Sequence, residues 1–396
     1  MNFFNVVAKR FALAAAAAAL MIFTMPAAAA TQKKVKIGLL LPYSGTYGML
    51  GTSVDRGLRL AIEQHGNKLG GREVEFVVVN SEADPGKAVS NMQKLISAEK
   101  VDFVVGPIHS GVAMAALKVA RQTGTILVIP NAGLNVATRE LCAPNIFRTS
   151  FSNWQPNYAM AKPAYDQGYR RIVTISWRYA AGTEHLGGFE EEFKRYGGQI
   201  VKQILVPFPS VDFQTYLTEI ASIKPDAVYT FFGGGGAVKF IQDYADAGLK
   251  GKIPLLSTGF LTESLKGLGN RADGIRTTLH YADDLDNKYN IAFRKAFKDR
   301  YNDEAGVYAV QGYDSGLLLI RAMEAVKGDT SNQAALIEAM RKVKFQDSPR
   351  GPWTMSKAHN PIQNIYMSEV RGGKNVMVGT AAKALDDPAT GCKMAK

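Results

Sequence analysis

His109, Ser110 and Gly111 follow the apolar run Phe103–Val105 and the turn Gly106-Pro107, and Asn131, Ala132 and Gly133 follow a second run, Thr125–Pro130. A hydroxyl, an imidazole, a side-chain amide and two glycines at the ends of two short apolar runs are groups that could grip a small anion. The runs read as parallel strands covered on both faces. Ser110 is placed to cap the helix that continues to about Gln122, with Val112, Ala115, Ala116, Val119 and Ala120 on one face. Backbone N–H groups and the helix dipole at such a strand end both favour negative charge. The same residues also fit an ordinary capped βαβ unit.

Other chemistries find less support. Adjacent residues at a helix start point apart, so His109 and Ser110 are a poor nucleophilic pair, and no GxSxG context surrounds them; no enzymatic activity is expected. Gly233–Gly236 is not part of GxxxxGK[ST], and no GxGxxG with its acidic partner replaces it, which argues against a nucleotide site. There is no CxxC and the five histidines are isolated, so neither a metal nor a cofactor is expected. Asp212 reads as a helix N-cap. Arg148 could approach a carboxylate or tie two parts of the fold together.

Lys9 and Arg10, an apolar stretch Phe11–Met25 and the small residues Ala27–Ala30 read as a secretory signal peptide over residues 1–30, cleaved near Ala30. No other run approaches the roughly 18 apolar residues of a membrane span, so export to the periplasm as a monomer is expected. The net charge of +12 is scattered, without a run of five or six Lys or Arg; with export, this argues against a nucleic-acid partner. Cys142 and Cys392 are the only cysteines, and in an oxidising compartment such a pair is expected to form a disulfide.

The elements that would position these groups alternate. Strands are expected at Val35–Leu41, Glu73–Asn80, Phe103–Val105, Thr125–Pro130 and Asn145–Ser150, with helices near Val54–His65 and Lys87–Glu99. The pattern then restarts with strands at Arg171–Trp177, Gln199–Val206, Ala227–Phe232, Pro254–Gly259 and Arg276–Tyr281, and helices near Phe189–Tyr196, Phe213–Ile223 and Ala237–Ala247. Helices at Asn287–Tyr301, Ala309–Val326 and Asn332–Val343 lack partner strands and are expected to return to the first set; a last strand is expected at Ile365–Val370. The fold class is therefore α/β, two doubly wound lobes joined by a three-crossover hinge. Residues 31–150 plus 284–355 would form lobe 1, and 151–283 plus 356–396 lobe 2 and the tail. Two such lobes enclose a ligand cleft at the carboxyl ends of both sheets.

Ser44-Gly45 with Gly51 and Gly57, Asp84-Pro85, Val104–Pro107, Ile129–Ala132, Phe147–Thr149 and Lys224–Val228 resemble, in order and spacing, the type I periplasmic binding proteins, nearest to the Leu/Ile/Val-binding proteins of ABC importers. The resemblance implies a ligand enclosed between lobes and delivery to an ABC permease in the inner membrane. It implies further that a ligand carboxylate is held at Ser110, Gly111, Asn131, Ala132 and Gly133, with His109 beside them. The departure lies at the ammonium end, where the family's two tyrosines and a carboxylate align with Leu50, Gly234 and Gly259. An ammonium taken out of water needs compensating acceptors, and only Glu184 and Asp283 survive as candidates. Aromatic residues fall at strand ends instead: Tyr43, Tyr47, Phe151, Trp154, Trp177, Tyr179, Phe231, Phe232, Phe260 and Tyr281, with Gly233–Gly236, Gly234 among them, leaving room for a flat ring. The expected ligand is a small carboxylate with an aromatic body, such as a benzoate, phenylacetate or hydroxycinnamate. The alternatives are a branched-chain amino acid or a ligand-sensing role beside a membrane receptor, with a secreted hydrolase a more distant one.

Overall fold

The computed structural model describes residues 33–395; the leader read from residues 1–30 lies outside them. The first sheet is built from β1 (Val35–Leu41), β2 (Lys68–Leu69), β3 (Arg72–Asn80), β4 (Phe103–Val105), β5 (Ile126–Ile129) and β6 (Ile146–Arg148), in the order β2-β3-β1-β4-β5-β6. All its pairings are parallel except that of β2 with β3. β4 and β5 are buried along their whole length, as continuous apolar strands covered on two faces must be. The helices α1 (Gly48–Gln64), α2 (Pro85–Gln93) and α3 (Ser110–Thr123) cover them. Asp84 caps α2 by accepting from the Gly86 N–H at 2.8 Å, with Pro85 in the first turn.

The second sheet repeats the plan. Its parallel strands β7 (Arg171–Arg178), β8 (Gln199–Pro207), β9 (Ala227–Phe231), β10 (Leu255–Thr258) and β11 (Arg276–Leu279) run in the order β8-β7-β9-β10-β11. The helices α4 (Trp154–Asp166), α5 (Ala180–Arg195), α6 (Gln214–Ile223) and α7 (Gly234–Asp246) accompany it. Two of these differ from the sequence reading. The helix α4 was not expected, and α5 begins nine residues before Phe189, because Tyr179 precedes it with no side-chain cap to mark the start. Asp212 is not a cap; α6 opens after Phe213, which makes no side-chain cap bond.

The chain then crosses back. The helices α8 (Lys288–Tyr301), α9 (Val307–Ala325) and α10 (Gln333–Arg341) join the first lobe, and α9 lies against α1 at a contact only small residues allow. A Cβ on Gly57 would lie 1.9 Å from the Ala309 carbonyl, and one on Gly312 would lie 1.9 Å from that of Val54. The next strands, β12 (Lys344–Phe345), β13 (Trp353–Met355), β14 (Pro361–Arg371) and β15 (Lys374–Leu385), extend the second sheet antiparallel to β11. Residues 344–355, assigned to lobe 1 from sequence, thus pair along the second sheet while Arg350 forms a fully buried ion pair with Asp314 of α9 at 3.0 Å. Burial pushes Asp314 up to about 6 despite that guanidinium.

The crossovers are bound together by buried polar groups. Arg148 donates to Asn360 Oδ1 and to the Leu134 carbonyl, both at 2.8 Å, and to Thr138. It ties strands together and does not face the cleft. Arg350 donates to the Ser150 and Thr149 carbonyls at 3.0 and 2.7 Å. Cys142 and Cys392 are disulfide-bonded with Cα atoms 5.6 Å apart, and Arg139 grips Asp387 through two 2.9 Å bonds. Both links pin the tail to the loop before β6.

Candidate functional site

Each sheet places its strand ends around one cavity. In the first sheet the chain direction across the sheet reverses between β1 and β4, which opens a crevice at the carboxyl ends. Tyr47 and Leu50 come from the segment after β1, Ile108 and Ser110 from the loop after β4, and Asn131 and Gly133 from the loop after β5. In the second sheet the reversal falls between β7 and β9. Tyr179, Ala181 and His185 follow β7, Phe231 and Gly233 end β9, and Phe260 follows β10. Phe151 and Asn153 enter from the first crossover, and Tyr308 from the start of α9. Together these residues line a cavity of about 30 Å³, so the two lobes stand nearly closed on each other.

The lobes meet across this space. The Tyr47 and Tyr179 hydroxyls are 2.8 Å apart. Gly234 sits at φ +57°, and a Cβ there would lie 2.2 Å from the Thr46 carbonyl, so glycine is needed for the rims to touch. His109 stacks on Tyr179, rings 4.7 Å apart, and also meets Phe208.

The start of α3 differs from the expectation. His109, not Ser110, is the cap: its Nδ1 accepts from the N–H groups of Gly111 at 3.1 Å and Val112 at 3.4 Å. The helix-end amides are therefore satisfied by the imidazole, which burial keeps neutral, its pKa pushed down to about 4. Ser110 moves into the first turn, and its Oγ, buried beside the cavity, accepts from the Asn153 Nδ2 at 3.4 Å.

Of the residues singled out by sequence, the cavity is lined by Tyr47, Leu50, Ser110, Asn131, Gly133, Phe151, Tyr179, Phe231 and Phe260. The others stand elsewhere. His109 and Gly111 form the cap beneath, and the N–H of buried Ala132 donates to the Pro107 carbonyl. Tyr43 donates to Asp55 at 3.2 Å. Trp154 stacks on Tyr158 at 4.2 Å. Trp177 donates to the Ser210 carbonyl at 2.8 Å and packs edge-on to Phe232, which lies in the second-lobe core against Phe213 and Phe240. Gly234 is at the rim, and its neighbour Gly233 takes the lining position.

The groups missed were Ile108, Asn153, Ala181, His185 and Tyr308. His185 was hidden by the late start assigned to its helix, and Tyr308 by coming from a helix that returns from the far end of the chain.

The electrostatics of the cavity are set by what is absent from its lining: among the described residues, no aspartate, glutamate, lysine or arginine contributes to it. Glu184 does not line it. Its carboxylate accepts from the Asn135 N–H at 3.0 Å and from Asn153 Nδ2 at 2.7 Å, and burial raises its pKa. Asp283 pairs with Arg294 at 3.3 Å and lines a separate recess with Glu263. The polar atoms at the cavity are thus neutral, and the remaining surface is ring and alkyl.

Comparison with known proteins agrees with this architecture. Residues 34–375 match the model of the periplasmic binding protein family. A solute-binding protein of an ABC transporter from R. palustris, solved in complex with benzoate, is 50% identical with a TM-score of 0.89, over 91% of this chain and 100% of that one. A second, from Rhodopseudomonas palustris BisB5 in complex with 3,4-dihydroxybenzoic acid, is 30% identical with a TM-score of 0.85, over 90% and 99%. The Leu/Ile/Val-binding protein homolog 6 of Brucella melitensis is 30% identical over 360 residues, 89% of this chain and 91% of the relative. From fold, cavity and matched length together, the chain belongs to the periplasmic binding protein family, alongside the solute-binding proteins of ABC transporters.

Proposed function

We propose that this protein is the substrate-binding component of an ABC importer and that it captures an aromatic carboxylate, of the benzoate or hydroxybenzoate type, between its lobes for delivery to a membrane permease. The observation that carries this reading is the cavity lining. Among the described residues, seven of the fifteen that line it bear rings (Tyr47, Phe151, Tyr179, His185, Phe231, Phe260 and Tyr308), and none bears a carboxylate. A flat apolar body gains stacking and area burial from such walls, and its carboxylate would meet Ser110, Asn131, the Gly133 backbone and Asn153. A buried ammonium would find no compensating charge there. The ligands bound by the two R. palustris proteins support the same class. Export and a periplasmic place fit the leader and the family.

The name of the Brucella relative favours a second reading, an aliphatic amino acid. A thermal-shift screen separates them, setting benzoate, 4-hydroxybenzoate, 3,4-dihydroxybenzoate, phenylacetate and cinnamate against leucine, isoleucine and valine. A ligand at 100 times its Kd stabilises the fold by about 2.7 kcal/mol, a rise of several degrees in Tm. Stabilisation by aromatic acids and not by amino acids is the expected result. Stabilisation by leucine alone would overturn the proposal.

A further inference from the structure

The hydrogen bonds around His185 determine which ring nitrogen holds its proton. Asn157, on α4, is held at three points. Its Nδ2 donates to the Asn153 carbonyl at 2.5 Å and stands 2.6 Å from His185 Nδ1, while its Oδ1 accepts from the Tyr229 hydroxyl. Turning the amide over would set its carbonyl against that of Asn153, so Nδ2 keeps its place. His185 Nδ1 must then accept, and the proton sits on Nε2. A doubly protonated, cationic ring is opposed twice, by the N–H₂ facing Nδ1 and by burial, which holds its pKa well below the ordinary value.

The ring is also aimed. His185 is 1% exposed, lies flat on Phe231 with centroids 3.6 Å apart and planes 9° apart, and stands edge-on to Phe260 at 6.2 Å. It borders the cavity with Ser110 and Asn153, and its Nε2 has no partner among the described residues. We infer that His185 presents Nε2–H to the cavity as a fixed donor, selecting a ligand with an acceptor oxygen at that point over one with an ammonium. This rests on the cavity being the ligand site. An oxygen there gains a hydrogen bond, whereas the hydrogens of an ammonium would face N–H and leave both donors buried without partners. His185 thus does from the second lobe what the missing carboxylate would do in reverse.

Two measurements test this. In ligand-free protein labelled with ¹⁵N-histidine, long-range ¹H–¹⁵N correlations should show the Nε2–H tautomer for the imidazole whose signals vanish in His185→Gln. Calorimetry with benzoate then compares wild type, His185→Phe and His185→Gln. The phenyl ring keeps the stacking and loses the donor, so affinity should fall about 10- to 100-fold, the worth of a hydrogen bond to a charged group. Gln, whose Nε2 still donates, should stay within roughly threefold of wild type and shows, by its melting curve, that the site folds. An Nδ1–H signature, or wild-type affinity in His185→Phe, would overturn the inference. If wild type ignores benzoate but is stabilised by an amine-free aliphatic carboxylate, the aromatic reading fails and the donor stands. Full-affinity binding of leucine would remove the selection itself.

Discussion

The two lobes bring the same strand ends to the cavity and furnish them with different chemistry. Behind β4 and β5 the first lobe offers a hydroxyl, an amide and bare backbone at Ser110, Asn131 and Gly133. Behind β7, β9 and β10 the second offers rings at Tyr179, His185, Phe231 and Phe260. The parallel strands of the two sheets share one order (β3-β1-β4-β5-β6 and β8-β7-β9-β10-β11), so topology decides where the cavity lies and not what it holds. The difference suits a ligand with a charged end and a flat body: short groups can be satisfied by hydrogen bonds, while a ring needs broad apolar faces.

That division can be broken at either wall. The largest effect should come from Phe231→Ala, which takes away the face on which His185 is stacked. Loss of a nearly buried ring costs about 3–5 kcal/mol, read as a lowered midpoint in urea unfolding; an unchanged midpoint would show that the ring wall is not part of the core.

Acid should loosen the seam where the walls meet. His109 caps α3 from the first lobe and stacks on Tyr179 from the second, and its pKa is pushed down to about 4 from an ordinary value near 6.5. A depressed folded-state pKa means that the unfolded chain takes up the proton first. The stability contribution is therefore complete above about pH 6.5 and is lost as pH falls toward 4, up to about 3 kcal/mol. His359, also pushed down to about 4, adds in the same direction, while Asp314, pushed up to about 6, offsets part of it. Tm measured from pH 7 to pH 4.5 should fall, and fall less in His109→Asn, which keeps a capping group.

Ser110→Ala addresses the polar wall. It should leave Tm within a degree or two and weaken binding of an aromatic acid by about 1.5–3 kcal/mol, the range for a bond to a charged group. Equal affinity would mean that the carboxylate lies elsewhere. Filling the bare wall sharpens the same point: in Gly133→Ala the new Cβ would sit 2.2 Å from Asn153 Oδ1 and 2.7 Å from Phe151. Overpacking of about 1–3 kcal/mol should appear in the melting curve together with weaker binding. The smallest effect is expected from Tyr179→Phe, which breaks the hydroxyl contact with Tyr47 and should weaken closure by about 1 kcal/mol, seen as a several-fold rise in Kd.

The sequence held the lobes, their strands and most of the first-lobe wall, because apolar runs, turn residues and the resemblance all bear on local segments. Ser110, Asn131 and Gly133 were legible for that reason. The second-lobe wall was less so. Strand-end aromatics were recognised as a group, yet whether a ring faces the cavity or the core depends on one residue of register. Trp177 and Phe232 turn inward, while Phe231, next to Phe232, turns to the cavity. His185 was missed because no cap marks the start of its helix.

Local segments along the chain carry the alternation that makes two α/β lobes and the cysteine pair that pins the tail. These follow from periodicity, turn chemistry and composition, which act over a few residues. Packing in three dimensions makes His109 and not Ser110 the cap of α3, spends Glu184 on Asn135 and Asn153, and sets Asn157 against Nδ1 of His185. Each of these is a hydrogen bond whose partner is chosen by local geometry or by packing between distant segments, and hydrogen bonding is satisfied in space and not in order along the chain.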